Sequence, residues 1–492
     1  MFSFLICLVV LILGYFVYGR VVERVFAPDD RPTPAVTMED GVDYLVLPEW
    51  RVFLIQLLNI AGLGPIWGAV GGALWGPSVF LWITLGTILA GGVHDFASGF
   101  LSMRCGGRSI AEITGDYMGK AARILMRVFS TVLLFMVGVV FAKGPAGLLR
   151  FLCDPSGAGT GIFTRESLWL NLIILYYFVA TFVPIDAIIG KIYPLFGFCL
   201  IVMAVGVGVG IFLNGTAANI PELWSVLGQN HHPDGTGAWP MLFISVACGA
   251  VSGFHATQSP IMARCCRSEK QARRVFYGAM VSEGVIALVW AAASCALFPI
   301  VDGKMTGLQT AMAEGQSACV YRICESTMGK VGAVLAMIGV IVCPITSGDT
   351  AFRSARLTIA DWFRLHQGDW KKRLLLTVPL LVLGYAVCQL DYSTVWSYFA
   401  STNQILATIV LWTAAMYLAK SGKQPWIAVA PAAFMSAVTM TCVFSSPLYL
   451  GGLFGAAADT VGTVAGLVLA AGFFALFLTK YRAIRREKRV NL

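Results

Sequence analysis

The chain has 492 residues, 58% of them apolar and only 12% charged, against about 25% charge in a soluble domain. With a mean hydropathy of +0.76, this excludes soluble enzymes and nucleic-acid binders and points to an all-α polytopic membrane protein. The net charge of +9 needs no acidic partner, because cytoplasmic loops collect Lys and Arg, and the strand alternation of a β-barrel is missing.

The first apolar stretch, Met1–Gly19, has neither a basic start nor a small-residue cleavage site. Arg20 and Arg24 follow it, so it reads as an uncleaved anchor with its N-terminus outside. At about 20 apolar residues per crossing, hydropathy marks thirteen spans, near 2–19, 51–74, 77–103, 124–149, 167–188, 192–213, 239–263, 275–299, 330–358, 373–390, 395–419, 425–443 and 457–479. With the N-terminus out and the C-terminus in, cytoplasmic segments hold 29 of the 35 Lys and Arg. Only Lys143, Arg150, Arg165, Lys304, Arg322 and Lys330 stay outside, as the positive-inside rule requires.

Two long connections, 214–238 and 300–329, fall outside. The His231-His232 pair in the first reads as a solvated turn. The thirteen cysteines include no C-x-x-C pair, so no zinc or redox framework is signalled. Vicinal Cys265–Cys266 reads as packing, and Cys153, Cys319 and Cys324 lie where a disulfide can form. The basic tail from Lys480 to Lys488 suits lipid headgroups.

The second span carries Ala61-Gly62-Leu63-Gly64-Pro65 about midway across, where a missing amide and two glycines let the backbone leave the helix. The seventh carries a matching interruption, Gly249 and then Ser252 through Pro260. Glycine and proline also serve simple helix packing. The five-helix offset, however, puts the two breaks in opposite orientations, the mark of an inverted repeat whose broken helices cradle a substrate at mid-membrane. The division is then 1–50 (anchor and loop), 51–213 (first repeat), 214–238 (external loop), 239–419 (second repeat) and 420–492 (peripheral helices and tail).

Polar residues at membrane depth are functional candidates. Gln56, Asn59, Gly62, Gly64 and Pro65 surround the first break. His255, Thr257, Gln258 and Ser259 lie at the second, and Asn403, beside Gln404, faces from the eleventh span. Interhelical hydrogen bonding explains the amides as well as a cavity does. For the coupling ion, Ala61 with the Thr346 and Ser347 hydroxyls suits sodium. Adjacent His94 and Asp95 make either a proton relay or a satisfied interhelical bond. Asp349 and Arg353 share one helix face and can simply pair. Glu283 and Lys143 read as side chains that snorkel to the interfaces.

At these residues the chain resembles the carbon starvation protein A family of bacterial uptake carriers. The resembling stretches are P-D-D-R-P-T-P-A (Pro28–Ala35), W-R-V-F-L-I-Q-L-L-N-I-A-G-L-G-P-I (Trp50–Ile66), G-A-L-W-G-P (Gly72–Pro77), A-G-G-V-H-D-F-A-S-G (Ala90–Gly99), S-G-F-H-A-T-Q-S-P (Ser252–Pro260) and G-D-T-A-F-R-S-A-R-L (Gly348–Leu357). The resemblance implies a LeuT-like 5+5 inverted repeat in the bacterial inner membrane and uptake of short peptides, with pyruvate the variant substrate. It implies no cofactor beyond a coupling Na+ or H+. Thr346-Ser347 matches the hydroxyl pair that often binds sodium in LeuT-like carriers, and Lys191 is a weaker counterpart of a lysine used by proton-coupled ones. Resemblance to a pyruvate–proton symporter favours protons. A channel would want a continuous polar ring. No HExxH, GxSxG or P-loop motif supports an enzyme or direct ATP drive. The free carboxylate common to peptides and pyruvate is expected to dock at the Gly62–Pro65 break.

Overall fold

A computed structural model describes residues 1–40, 44–155, 157–182, 185–363, 365 and 370–490, with side chains except at 185–194, 361 and 489–490. Lys191 is therefore outside the described side chains. Each of the thirteen expected spans overlaps helix among the described residues, the seventh only at its two ends. They are α1 (Phe2–Phe26), α2a (Glu49–Ile60) with α2b (Gly64–Gly72), α3 (Ser78–Arg104), α4 (Lys120–Cys153), α5 (Glu166–Ala180) and α6 (Ile185–Leu213). After the external loop come α7a (Met241–Ser245) with α7b (His255–Ala263), α8 (Glu269–Leu297), α9 (Gln316–Trp362), α10 (Trp370–Cys388), α11 (Tyr392–Lys420), α12 (Trp426–Ser445) and α13 (Ala458–Val490). Among the described residues nine helices are long and apolar enough to cross a membrane, or ten with the bent α2 pair. α5 is shorter, at 15 residues.

The apolar windows of α3, α8 and α11 are each 83% buried, whereas that of α13 is 22% buried and that of α1 33%. The first three form the core and the last two face lipid. α3 and α8 lock together through an irregularity in each. Thr87–Gly91 and Arg273–Tyr277 are π-helical turns, which leave backbone groups out of the regular ladder. The Tyr277 hydroxyl donates to the Ile88 carbonyl at 3.0 Å. Gly92 admits the Tyr277 ring, since a Cβ there would lie 2.3 Å from it. The outer end of α9 is set off at Gly329, whose φ of 68° breaks the helix near the start expected for that span.

The external loops are built rather than solvated. His231 and His232 are buried, which corrects the solvated-turn expectation. His231 Nδ1 lies 2.9 Å from the Gly303 carbonyl, and the His232 ring packs 4.7 Å from Trp75. Burial holds His232 below its ordinary pKa. Lys304 Nζ donates to the Asn230 and His232 carbonyls, so the two long connections clamp each other. Glu222 in the first of them receives the Phe2 amide (2.8 Å), the Ser3 amide (2.7 Å) and the Ser3 hydroxyl (2.5 Å). Partial burial opposes ionisation there, but these donors prevail and bring the Glu222 carboxyl down to about 2. Cys153, Cys319 and Cys324 are free thiols.

On the cytoplasmic side the loop after α1 straps the α7–α8 connection. Thr33 donates to the Cys266 carbonyl at 2.6 Å, and the Leu45 and Leu47 amides reach the Arg264 and Cys265 carbonyls. Arg104 at the end of α3 joins Glu269 (3.0 Å), Asp29 (3.1 Å), the Ala27 carbonyl and the Tyr417 hydroxyl. Hydrogen bonds from Arg31 hold the Asp29 carboxyl well below the usual carboxylate range.

Candidate functional site

The α2 break is where glycine and proline predict it. Residues 61–63 leave the helix, the two halves meet at 50°, and Pro65 sits in the first turn of α2b. Among the described residues the Leu63 amide, in the break itself, donates to no backbone carbonyl. Close packing requires the glycines. A Cβ on Gly62 would lie 2.7 Å from the Phe141 ring, and one on Gly64 would lie 2.4 Å from Cys248. The two breaks therefore touch through Gly64 and Cys248.

The α7 break is longer and placed differently from expectation. It runs over 246–254, and α7b begins at His255. Thr257, Gln258, Ser259 and Pro260 are thus helical rather than part of the interruption. Asn403 of α11 secures it. Its Oδ1 accepts from the Phe254 amide (2.7 Å) and the Ser252 hydroxyl (3.2 Å), and its Nδ2 donates to the Ala247 carbonyl (3.3 Å). Gln404 Nε2 adds bonds to the Phe243 and Ala247 carbonyls. Both amides serve interhelical bonding. In α7b, Thr257 donates to Phe254 O, Gln258 to Thr257 Oγ1, and Ser259 to His255 O. Ser98 of α3 bonds Ser259 at 3.2 Å.

A row of four ionisable side chains crosses α3, α7b and α8, each with 0% of its surface exposed. His94 Nδ1 lies 2.8 Å from Asp95 Oδ1, and Asp95 Oδ2 lies 2.8 Å from His255 Nδ1. On the far side of the ring, His255 Nε2 stands 3.1 Å from Glu283 Oε2. That contact is close but not aligned as a hydrogen bond. His255 Nε2 and both Glu283 oxygens are buried with no hydrogen-bond partner among the described residues. Glu283 does not snorkel, because α3 and α7b close over it. Lys143 instead bonds the Leu390 carbonyl.

The α9 candidates lie against the end of α2a. Cys343 Sγ donates to the Leu58 carbonyl (3.2 Å) and approaches that of Ala61 (3.7 Å). Thr346 bonds the Cys343 carbonyl at 2.9 Å, while the buried Ser347 hydroxyl has no partner among the described residues. Asp349 pairs with Arg353 at 3.5 Å. The Gln56 amide is fully buried and also has no hydrogen-bond partner among the described residues, and buried Asn59 lies near it on α2a.

A cavity of about 470 Å³ opens between α4, α7b, α9 and the short helix Ile110–Met118. Its rim carries Glu112, Arg127 and Arg264, and Ala256, Thr257 and Pro260 form part of its wall. The charge distribution places its mouth on the cytoplasmic side. Of the expected substrate residues, Thr257 lines it, whereas Gly62 and Gly64 lie in packed contacts at the break.

The residues that sequence reading left out of the site are Cys248 and Glu283. Cys248 Sγ, a His255 ring nitrogen and a Glu283 carboxylate oxygen lie within 4.8 Å of one another. Glu283 at membrane depth was a usable signal, since an intramembrane acid defaults to function. Nothing in the spacing pointed to Cys248.

Comparison with known proteins agrees with this architecture. An uncharacterized membrane protein of Haemophilus influenzae is 40% identical over 339 residues, 61% of this chain and 91% of its own. The peptide transporter CstA of Escherichia coli is 26% identical over 559 residues, covering 87% of this chain and 78% of its own. The pyruvate/proton symporter BtsT of the same organism is 28% identical over 55% of this chain and 45% of its own length. Among solved structures, an Eremococcus coleocola manganese transporter superposes with a TM-score of 0.57 at 13% identity, over 91% of this chain and 99% of its own. MhsT in complex with L-phenylalanine gives 0.51 at 15% identity, over 85% and 98%. The fold is LeuT-like, an inverted repeat with α2 and α7 as its broken helices, in a multi-pass inner-membrane protein. Residues 1–149, 153–305 and 301–442 match the carbon starvation protein CstA family, and the chain belongs to that family.

Proposed function

We propose that this chain is a secondary active importer of small carboxylate-bearing solutes, short peptides first and pyruvate the alternative, working by alternating access under a cation gradient. The observation that carries the reading is the start of α2b. The Leu63 amide donates to no backbone carbonyl among the described residues. It stands at a helix N-terminus, a positive dipole end equivalent to roughly half a charge. An anionic group is the natural partner of such amides, and residues without side chains let it approach. The relatives named peptide transporter CstA and pyruvate/proton symporter BtsT carry or suggest substrates with that group.

In the present conformation Phe141 and Cys248 cover the two glycines, and the cavity lies on the cytoplasmic side of α7b. Docking therefore belongs to a conformation in which α2b has moved off them. The BtsT likeness favours protons as the driving ion. Sodium is the second reading, favoured by the unpartnered Ser347 hydroxyl beside the Ala61 end of α2a.

Counterflow in proteoliposomes, with dipeptides and pyruvate compared under imposed proton and sodium gradients, tests this. Saturable exchange that collapses with a protonophore is expected. Amidating the peptide's C-terminus or esterifying pyruvate is expected to weaken binding about 10–100-fold, the worth of ~1.5–3 kcal/mol for a hydrogen bond to a charged group. Equal binding of the blocked compound and the free acid overturns the carboxylate site. Uptake that follows sodium instead moves the coupling to Thr346 and Ser347, and replacing both with Ala then abolishes the sodium stimulation.

A further inference from the structure

We propose that Cys248, His255 and Glu283 form a binding site for a zinc-class divalent cation, held at the contact between the two broken helices. Three donor types suited to such an ion, a thiol, an imidazole and a carboxylate, converge within 4.8 Å. They come from three places: the α7 break, the first turn of α7b, and α8. All three residues are buried.

The hydrogen-bond pattern has the form that a metal site needs. His255 turns Nδ1 to Asp95 at 2.8 Å, which leaves Nε2 facing Glu283. A metal-binding histidine ordinarily gives its other ring nitrogen to a carboxylate in this manner. His94 in turn fixes the second Asp95 oxygen at 2.8 Å, so the carboxylate that orients the ligand is itself oriented. Meanwhile His255 Nε2, Glu283 Oε1 and Glu283 Oε2 have no hydrogen-bond partner among the described residues. Glu283 and His255 thus face each other at 3.1 Å without an aligned hydrogen bond, a costly state for buried polar groups, and a cation between them removes that cost.

Charge argues for the same class. A divalent ion offsets the charges of its two anionic ligands, one thiolate and one carboxylate, and leaves Asp95 with its two histidine contacts as the remaining charged group of the buried row. Binding releases the Cys248 proton, since the thiolate is the ligand. Three protein ligands leave a fourth position open. Gly64 is the immediate neighbour of Cys248, as its missing Cβ shows, and the cytoplasm-facing cavity reaches Ala256, next to His255.

The test uses purified full-length protein, stripped with a chelator and titrated with Co2+ as a spectroscopic stand-in for zinc. One Co2+ per chain is expected, with a sulfur-to-cobalt charge-transfer band. Cys248→Ser is expected to remove that band. Glu283→Gln is expected to weaken binding at least about tenfold, and Asp95→Asn about 10–100-fold. His94→Gln, outside the ligand set, should still show the band. Gel-filtration profiles of the metal-free variants establish that each is folded. Absence of stoichiometric Co2+ binding by the unmodified protein overturns the proposal whatever the variants do. So does binding that survives both Cys248→Ser and Glu283→Gln unchanged, which would leave the cluster an acid–base pair only. None of these readouts depends on transport, so failure of the carboxylate-uptake reading is seen separately.

Discussion

The two broken helices do the same topological work with opposite means. The α2 break is three residues long and is shaped by what is missing: side chains at Gly62 and Gly64, and an amide at Pro65. The α7 break spans nine residues and is shaped by what is added, since Asn403 and Gln404 of α11 supply acceptors and donors to its freed backbone. Buried backbone polar groups must be paired, and in a membrane water is not at hand to do it. A short break keeps few such groups unpaired and can leave them for a solute. A long one must be held by a neighbouring helix.

The sharpest way to break that comparison is Asn403→Ala. It leaves the Phe254 amide without its acceptor and takes one partner from the Ser252 hydroxyl and one from the Ala247 carbonyl, which keep Cys248 and Gln404. Each buried group left unsatisfied costs about 1–3 kcal/mol, so the Tm of the protein in detergent should fall more than for any substitution at α2. A Tm within a degree of the parent would show that the α7 break holds itself.

A smaller effect is expected from Gly64→Ala. The added Cβ would meet Cys248 at 2.4 Å, and overpacking costs typically about 1–3 kcal/mol. Cys248→Gly should recover part of the loss in a double-mutant cycle, because the two positions are in direct contact. Additive effects would mean that the breaks do not bear on each other.

The smallest effect belongs away from both breaks, at Glu222. Its carboxyl lies at about 2 in the folded protein against an ordinary 4.5. A depressed value contributes stability that is complete above the unfolded value and lost as pH falls through the folded one. Lowering pH from about 5 toward 2 should therefore erode stability in the parent more than in Glu222→Gln, with Tm against pH as the measurement. Identical slopes would discard the contribution. Neither break should respond.

Much of the fold was legible because apolar length and charge asymmetry are strong, additive signals, and Gly62 through Pro65 cannot sit quietly in a helix. The end of the α7 break was less legible. Pro260 suggests an interruption, yet a membrane helix surrounded by other helices tolerates proline, and α7b runs through it. The site was legible only in part. His94 next to Asp95 is visible as a pair, and His255 as a polar residue at a break. Their union with Glu283 depends on how α3 and α8 interlock through Tyr277 and Gly92, which no local pattern encodes. His231 and His232 failed for the same reason: their burial is made by Gly303, Lys304 and Trp75, distant in the chain.

The cytoplasmic strap carries a consequence for the order of synthesis. Thr33 bonds the Cys266 carbonyl, 233 residues later in the chain, and the Asp29 amide bonds Glu269, 240 residues later. At about 5–20 residues per second, the ribosome takes on the order of 10–50 s to make those partners after the strap has emerged. Through that interval Asp29, Asp30 and Arg31 keep the segment content in water, with prolines on either side. The cytoplasmic face is thus closed late, by a piece of chain made early, and the first repeat must already be in the membrane and waiting when it happens.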